Sequence, residues 1–347
     1  MDALSEALNA VRMTGAIFAN AICTAPWGFA VPAIDALERV VQMLARGTER
    51  VVGYHLVTEG TALIRIPGRD DVSLAAGDIV IIPHGEAHTI SNGTPPALSQ
   101  PDTLGRWLAG DLSPLRIDGG GETSRFVCGY FGCERHAARL FLAGLPSIIT
   151  INVRNEPAVA WLESTMRLLL DEATSGRPGR AALLAKMAEA IFIATLRRYM
   201  ELLPPEARGW LAGARDPIVG HALALLHRQP DSPWTVAKLA GAVGSSPSLV
   251  AHRFTQYLGE PPLTYLARWR LQLAARLLQT THKTILNVAL DVGYESEAAF
   301  NRAFKREFGL PPAQYRHRLA GNGAGPPVRE SPDVASRTVP RWSRLAR

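Results

Sequence analysis

The sequence predicts an α+β chain in which an antiparallel β-barrel with helices precedes an all-α domain of two tandem helix-turn-helix units. Short apolar runs, separated by Gly and Pro at about ten-residue spacing, occupy residues 51–82 and are typical of an antiparallel barrel or sandwich. An internal repeat with helical spacing fills much of the last third of the chain. The length of 347 residues exceeds one ordinary core and predicts two or three domains.

Composition indicates a globular chain, and all of its net positive charge lies in the last third. Hydrophobic residues make up 47% and charged residues 20%. The net charge of +6 is uneven, because its balance is −2 over residues 1–229, +5 over residues 230–320 and +3 over residues 321–347. This asymmetry favours a polyanionic partner for the C-terminal part, although a solvated basic surface would give the same balance.

The sequence lacks the signatures of a membrane or secreted protein. No window holds eighteen uninterrupted apolar residues, so no transmembrane helix and no membrane partner are expected. Asp2 and Glu6 occupy the positions where a secretory signal carries basic residues. The three cysteines do not form an even-numbered disulfide framework. We therefore expect a cytoplasmic protein.

Apolar spacing predicts the elements of an N-terminal domain over residues 1–155. The pattern changes from helical to alternating near residue 51. The predicted elements are a helix at 2–13, strand or extended chain at 15–32, a helix, strand or loop at 34–46, strands at 51–57, 61–66, 72–74, 78–82 and 124–131, a long loop at 93–123 and a β-branched run at 148–151.

Residues 156–215 predict a helical dimerisation and linker region. Helices at 157–172 and 180–203 carry broad apolar stripes that suit packing on each other, on the barrel or on a second subunit. A homodimer is therefore one expectation. Residues 204–216 predict a linker. A helix at 217–227 opens the C-terminal domain, residues 216–320, and residues 321–347 predict a disordered basic tail.

The C-terminal repeat has the chemistry of two helix-turn-helix units. Its threonines predict helix N-caps, and its turn glycines supply positive φ. The first residues recur at an offset of 49 and the later ones at 50: Thr235, Leu239, Ala240, Val243 and Gly244 match Thr284, Val288, Ala289, Val292 and Gly293, and Val250, Phe254, Gly259, Pro262 and Tyr265 match Phe300, Phe304, Gly309, Pro312 and Tyr315.

The second helix of each unit presents a polar face that suits a DNA major groove. The buried pairs at i, i+4 lie on the opposite face. The predicted DNA-contacting residues are Ser246, Ser248, Ala251, His252 and Thr255 in the first unit, and Glu297, Ala298, Asn301, Arg302 and Lys305 in the second. Between them, residues 262–279 predict a helix of roughly 27 Å, which suits recognition helices about one turn of B-DNA apart.

These residues resemble the AraC/XylS family of transcription regulators over about residues 216–319. The signature runs from Ala289 through Val292-Gly293-Tyr294, Phe300, Arg302, Phe304-Lys305, Phe308-Gly309 and Pro312 to Tyr315-Arg316, with Arg268-Trp269-Arg270-Leu271 in the connecting helix. The resemblance implies operator DNA and RNA polymerase as partners, a regulator rather than an enzyme, and a base-contacting role for Arg302. We expect more DNA contact energy from the second helix, because the first has Ala251 and His252 on its polar face.

The N-terminal half resembles the cupin-type sensor domains of that family. Gly77, Pro83, Gly85, His88 and Asn92 have the spacing of the second cupin motif. The first motif is partial, because His55 and Glu59 match its last ligand positions but Gly53 replaces its first histidine. The resemblance covers residues 5–210 and implies a small-molecule effector of unknown identity, a response to chemical stress, or dimerisation.

Two chemistries are candidates in the sensor. His55, Glu59 and His88 suit a divalent metal such as Zn, Mn, Ni or Fe. The alternative is that they are hydrogen-bonded wall residues. Cys128 and Cys133, with His136 nearby, are candidate substitutes for the missing ligand.

The cysteines Cys23, Cys128 and Cys133 are also candidate redox sensors. Oxidation of a Cys23–Cys128 pair would reshape the sensor if the two approach each other. Their alternative role is as small buried hydrophobic side chains.

The leading hypothesis is a sequence-specific transcription regulator, expected to be an activator, that responds to a small molecule or to chemical stress. The second hypothesis, from a different class, is a metal-dependent cupin enzyme fused to a DNA-binding module. Stoichiometric metal with turnover would favour the enzyme.

Overall fold

A computed structural model describes residues 2–10, 13–33, 48–92, 115–134, 142, 145–154, 161, 164–165, 168, 171–172, 175 and 177–321. The chain divides into two compact units, residues 1–272 and 273–347. The division falls inside the helix that connects the two helix-turn-helix units. The first helix-turn-helix unit therefore belongs to the same compact part of the chain as the sensor. The predicted domain boundaries stay predictions.

In its described residues the sensor has ten strands, which form two sheets. They are β1 (Met13–Thr24), β2 (Gly28–Val31), β3 (Thr48–Glu59), β4 (Thr61–Arg65), β5 (Val72–Ala75), β6 (Asp78–Ile82), β7 (His88–Ser91), β8 (Leu115–Ile117), β9 (Thr123–Glu134) and β10 (Ile149–Asn152). The six-stranded sheet has the order β10-β6-β3-β9-β1-β8, and the four-stranded sheet has the order β2-β7-β4-β5. The strand predictions are confirmed, and β7 and β8 are additional.

The prediction of a barrel is wrong in one respect, because the two sheets are not closed into one. Each sheet ends in its own edge strands and the two meet through side chains instead. The pairing is antiparallel except between β1 and β8, which run parallel. Strand β8 lies inside the predicted loop 93–123.

An apolar core fills the space between the sheets. Trp27, Phe29 and Phe126 form its aromatic part, with ring centroids 5.1 Å apart for Trp27–Phe126 and 5.8 Å apart for Phe29–Phe126. Cys23, Cys128, Val80 and Ile82 are in the same cluster. This core is the interior of the sensor, and one face of β3 and β9 points into it.

The chain contains ten described helices. They are α1 (Ala3–Ala10), α2 (Arg180–Leu202), α3 (Trp210–Arg215), α4 (Pro217–Arg228), α5 (Val236–Ala242), α6 (Pro247–Leu258), α7 (Pro262–Thr280), α8 (Ile285–Asp291), α9 (Glu297–Phe308) and α10 (Pro312–Gly321). Among the described helices, none is long and apolar enough to cross a membrane. The segment 34–46, most of 157–172 and the tail beyond Gly321 lie outside the described residues.

Helix α2 covers the outer face of the six-stranded sheet. Its Phe192 packs on Phe131 of β9 with ring centroids 5.8 Å apart, and Phe131 stacks on Tyr54 at 4.4 Å. The sequence allowed the apolar stripe of α2 to pack on the preceding helix, on the barrel or on a second subunit. In the structure it packs on the six-stranded sheet. Leu183 and Leu202 remain about half exposed.

Two contacts join the sensor to the first helix-turn-helix unit. Helix α1 packs on α4, and Ala3, Leu4 and Ala7 of α1 are buried. The segment predicted as a linker at 204–216 contains α3, and its Trp210 is 2% exposed. The sequence did not predict α3, because six residues are too few for a helical period to be visible.

Candidate DNA interface and sensor site

Side-chain caps fix the start of the helices in both helix-turn-helix units. Thr235 Oγ1 accepts from the backbone N–H of Lys238 at 3.1 Å, and Thr284 Oγ1 accepts from that of Asn287 at 3.2 Å. The following turns contain Gly244 with φ of 67° and Gly293 with φ of 84°. These local features are the ones the repeat predicts, and they orient the next helix of each unit.

Helices α6 and α9 are the recognition helices predicted from the repeat. Ser246 Oγ caps α6 by accepting from the backbone N–H of Leu249, and Ser296 Oγ caps α9 by accepting from that of Ala299. Val250 and Phe254 in α6, with Phe300 and Phe304 in α9, are fully buried. The order of buried, half-buried and exposed positions is the same in residues 251–260 as in residues 301–310. Both units therefore present equivalent faces.

The predicted DNA-contacting residues lie on those faces. Two of them, Ala251 and Asn301, are half-buried. The others are exposed: Ser246, Ser248, His252, Thr255, Glu297, Ala298, Arg302 and Lys305. Their accessibility fits contact with a duplex, while the contacts themselves stay predictions.

The two faces differ in charge, as the sequence predicts. Helix α9 carries Arg302, Lys305 and Arg306. Helix α6 carries Arg253, whose Nη1 donates to Asp216 Oδ2 at 3.0 Å. Asp216 is 8% exposed. The single arginine of α6 is therefore directed to a buried carboxylate. Helix α9 has three cations for phosphates and bases, beside two glutamates.

The Asp216–Arg253 pair was missed because 37 residues separate its members in the sequence. The signal that would have identified Asp216 is its place before Pro217, since Asp followed by Pro is typical of a helix start. In the connecting helix, Arg268 pairs with Glu260 at 2.9 Å, and Arg270 donates to the carbonyls of Pro230 and Ser232. Both arginines thus contact the protein itself.

The sensor contains a buried cluster of His55, His88 and Cys128 between its sheets. His55 lies on β3 opposite Cys128 of β9, and its Nδ1 is 2.7 Å from Cys128 Sγ. Its Nε2 is 2.7 Å from Nε2 of His88, which begins β7 of the other sheet. Nδ1 of His88 is 2.8 Å from the carbonyl oxygen of Glu86. We call these three side chains the His–His–Cys cluster.

These partners assign one direction to every hydrogen bond in the cluster. A carbonyl only accepts, so His88 donates from Nδ1 to Glu86, and its Nε2 is an acceptor when the ring is neutral. His55 therefore donates from Nε2 to His88 and accepts at Nδ1. That nitrogen is left to accept from the thiol of Cys128.

The electrostatics of the cluster favour its neutral form. Burial lowers the pKa of His55 well below its ordinary value, with a further contribution from His88. Burial also lowers the pKa of His88. The pKa of the Cys128 thiol is well above its ordinary value through burial and through Cys23, and burial raises the pKa of Cys23 to about 12. Both cysteines are thiols at neutral pH.

Glu59 is not brought to the two histidines. Its carboxylate pairs with Arg125 at 2.7 Å, and its side chain is 54% exposed. The pairing of β3 with β9 shifts register between Val57 and Glu59, which breaks the alternation that would have pointed Glu59 inward with His55. Over the described residues no group of three His, Cys, Asp or Glu side chains is arranged to hold a metal ion.

Cys23 and Cys128 both lie in the core but are offset along the sheet. Ala19, not Cys23, is opposite Cys128, and four residues correspond to roughly 13 Å along a regular strand. A disulfide needs Cα atoms about 4.4–6.8 Å apart, so this pair cannot be bridged without backbone movement. Cys133 belongs to β9, while its side chain and His136 lie outside the described part of the chain.

Family comparisons match both halves of the chain. The Cupin family model matches residues 2–201, and the model of a helix-turn-helix domain matches residues 239–318. A protein of Streptomyces lividans named as an AraC-like transcription regulator is 32% identical over 324 residues, covering 91% of this chain and 98% of that protein.

The chain is also similar to a named activator and to a solved DNA-binding domain. The RCS-specific HTH-type transcriptional activator RclR of Escherichia coli K12 is 28% identical over 320 residues, covering 92% of this chain and 98% of that protein. The solved DNA-binding domain of AdpA, described as a global transcriptional factor in complex with a target DNA, is 30% identical, with a TM-score of 0.29, and the match covers 32% of this chain and 99% of that one.

The predicted family, fold class and regulatory function are therefore confirmed, and the relatives named are regulators rather than enzymes. The chain belongs to the AraC-like transcription regulators, with a cupin-type sensing domain ahead of a helix-turn-helix region that binds DNA.

Proposed function

We propose that this regulator contacts operator bases mainly through α9 and more weakly through α6. We also propose that a chemical signal at the His–His–Cys cluster changes its activity. Two observations support the first part. The two recognition helices are equally exposed, and α9 has three cations whereas the one arginine of α6 is paired with Asp216. A bidentate arginine–guanine contact contributes about 1–3 kcal/mol of discrimination, which makes Arg302 the main candidate for base contact.

Genome-wide mapping of the binding sites of the full-length protein tests the proposal about α9 and α6. The sites are expected to share two sequence elements about one helical turn apart, with the stronger element assigned to α9. A single element, or enrichment without any shared sequence, would contradict the proposal. The genes beside the sites also indicate the class of signal.

For the signal, the first candidate is oxidation of Cys128. His55 Nδ1 accepts the thiol hydrogen bond and is therefore placed to take the proton when sulfur attacks a peroxide. In that step the thiol and hydrogen peroxide give a sulfenic acid and water. Because the cluster joins the two sheets, a change at Cys128 alters a contact between them.

Peroxide treatment of the full-length protein, followed by mass spectrometry of alkylated cysteines and a DNA-binding titration, tests this candidate. Cys128→Ser is expected to abolish any change in DNA affinity, and Cys23→Ser separates a sulfenic acid from a Cys23–Cys128 disulfide. If neither substitution alters the response, or if Cys128 stays reduced while DNA affinity changes, oxidation at this site is excluded.

The second candidate signal is a divalent metal at His55 and His88, whose Nε2 atoms converge. Neutral imidazole suits Zn and other first-row metals, but Glu59 does not supply a third ligand. Elemental analysis of the purified protein before and after Zn exposure decides this point. Near-stoichiometric metal that is lost in both His55→Ala and His88→Ala would favour it, and metal below about one-tenth per chain would exclude it.

The remaining partners follow from this function. A cytoplasmic location is part of the proposal, because operator DNA lies in that compartment. Activation requires contact with RNA polymerase, and activation is supported by the similarity to RclR, which is named as a transcriptional activator. A homodimer is supported by the half-exposed Leu183 and Leu202 on α2. Sedimentation velocity tests the dimer, and transcription in vitro with purified polymerase tests activation.

A further inference from the structure

The end of sensor helix α2 is held by one arginine of α3. Nη1 of Arg215 donates to the carbonyl oxygens of Met200, Glu201 and Leu203 at 3.0, 3.4 and 2.7 Å. The last carbonyls of a helix have no partner within the helix, and they form its negative end. A guanidinium is therefore well matched to this position, and it ties α2 to the segment that follows.

The next residue, Asp216, holds the first recognition helix. Its Oδ1 accepts from the backbone N–H groups of Ile218 and Val219 at 3.0 and 2.9 Å, which caps α4. Its Oδ2 accepts from Arg253 of α6 at 3.0 Å. Asp216 is buried and bonds both to the start of α4 and to Arg253 of α6, so it fixes α6 against α4.

The rest of the segment also packs on α6. The backbone N–H of Gly209 donates to the carbonyl of Tyr257 at 2.9 Å, and the guanidinium of Arg208 lies 5.5 Å from the centre of the Tyr257 ring. A Cβ on Gly213 would lie 3.2 Å from Cβ of Tyr257, so the two backbones approach closely there. Residues 208–216 are thus a packed connection and not a passive tether.

We propose that Arg215 and Asp216 transmit the state of the sensor to the first recognition helix, α6. Arg215 is bonded to the end of α2, which covers the sensor sheet, and therefore moves with it. Asp216 passes this displacement to Arg253, which lies beside the exposed His252. A coupling of this kind is reciprocal, because a ligand that changes one end must change the other. DNA can therefore serve as the probe at α6, and the response can be measured at the end of α2 without knowledge of the natural signal.

The test is hydrogen–deuterium exchange of the full-length protein, with and without a saturating duplex selected from a random library by the same protein. In the unsubstituted chain, DNA is expected to slow exchange in residues 247–258 and to change the exchange rate of the amides near residues 200–203 at least about threefold. Arg215→Gln is expected to keep the protection of α6 and to lose the response near residues 200–203.

Two further variants separate coupling from local structure. Lys186→Gln removes an exposed ion pair from the same helix and is expected to keep the response. Asp216→Asn retains a capping oxygen but loses the charge that faces Arg253. This variant is expected to lose the response of α2 to DNA. In the free protein, the exchange rate at the end of α2 should stay unchanged. A DNA-bound protein whose α2 end does not respond, or a response that persists in both Arg215→Gln and Asp216→Asn, overturns the proposal. Protection of α6 by DNA reports the DNA-binding function separately.

Discussion

His55 and His88 connect the two sheets of the sensor through a buried contact between their Nε2 atoms, which are 2.7 Å apart. The contact continues to Cys128 on one side and to the Glu86 carbonyl on the other. A polar chain of this kind stabilises the fold only while each buried donor has an acceptor, because an unpaired buried polar group carries a desolvation cost.

The first prediction follows from that chain. His88→Leu removes the acceptor of the His55 N–H and is expected to lower the free energy of unfolding by about 1–3 kcal/mol. In the double variant His55→Leu/His88→Leu both partners are gone, so the loss should be smaller than the sum of the two single losses. Urea unfolding of the four proteins measures this coupling, with His252→Ala as an exposed control. Strictly additive losses would mean that the two imidazoles do not pair.

The second prediction concerns pH and His227. This residue is buried between Trp210 and Trp269 in the first helix-turn-helix unit, with ring centroids 6.3 and 4.1 Å away, and burial lowers its pKa to about 3. The unfolded chain, with an ordinary pKa of about 6.5, binds the proton first as pH falls. The stabilisation is therefore complete above about pH 6.5 and declines as the pH drops towards 3.

From these two pKa values, His227 accounts for a loss of about 2 kcal/mol in the free energy of unfolding between pH 7 and pH 5. His227→Phe keeps a planar ring in the stack and removes the titration, so its loss over this interval should be smaller by about that amount. Urea unfolding at the two pH values, followed by tryptophan fluorescence, makes the comparison. Equal losses in both proteins would show that His227 titrates normally in the folded state.

The third prediction concerns the capping threonines. Thr284→Ala removes the oxygen that accepts from the Asn287 N–H and should lower the free energy of unfolding by about 0.5–2 kcal/mol. Thr284→Ser retains the hydroxyl and should lose much less. Thermal unfolding by circular dichroism compares the two. A loss in the serine variant as large as that in the alanine variant would assign the effect to the methyl group instead of the cap.

The features predictable from the sequence are those fixed by local spacing. Thr235 and Thr284 as caps, Gly244 and Gly293 in the turns and the buried Phe300 and Phe304 each depend on neighbours within about one helical turn. The strands of the sensor were predictable for the same reason, because alternation and Gly or Pro breaks are local.

The features that escaped prediction depend on contacts distant in sequence. Closure of the sheets is decided by their edge strands, and the Asp216–Arg253 pair joins residues 37 apart. Glu59 illustrates a different limit, because its motif spacing suggests a ligand while a register shift beside Val57 turns it towards Arg125. Spacing predicts which residues share a strand, but a single irregularity in pairing decides which side they face.

The most direct test of the account is the affinity of Arg302→Ala for a duplex selected by the full-length protein, measured by fluorescence anisotropy beside Arg306→Ala. Arg302 and Arg306 are both exposed on α9 and carry the same charge, but only Arg302 is among the predicted DNA-contacting residues. Arg302→Ala is expected to weaken binding about 5- to 150-fold, corresponding to about 1–3 kcal/mol, and to relax the preference at one base pair. Arg306→Ala should weaken binding less and equally on all sequences. Unchanged affinity in Arg302→Ala, or equal losses in the two variants, would contradict base contact by the α9 face.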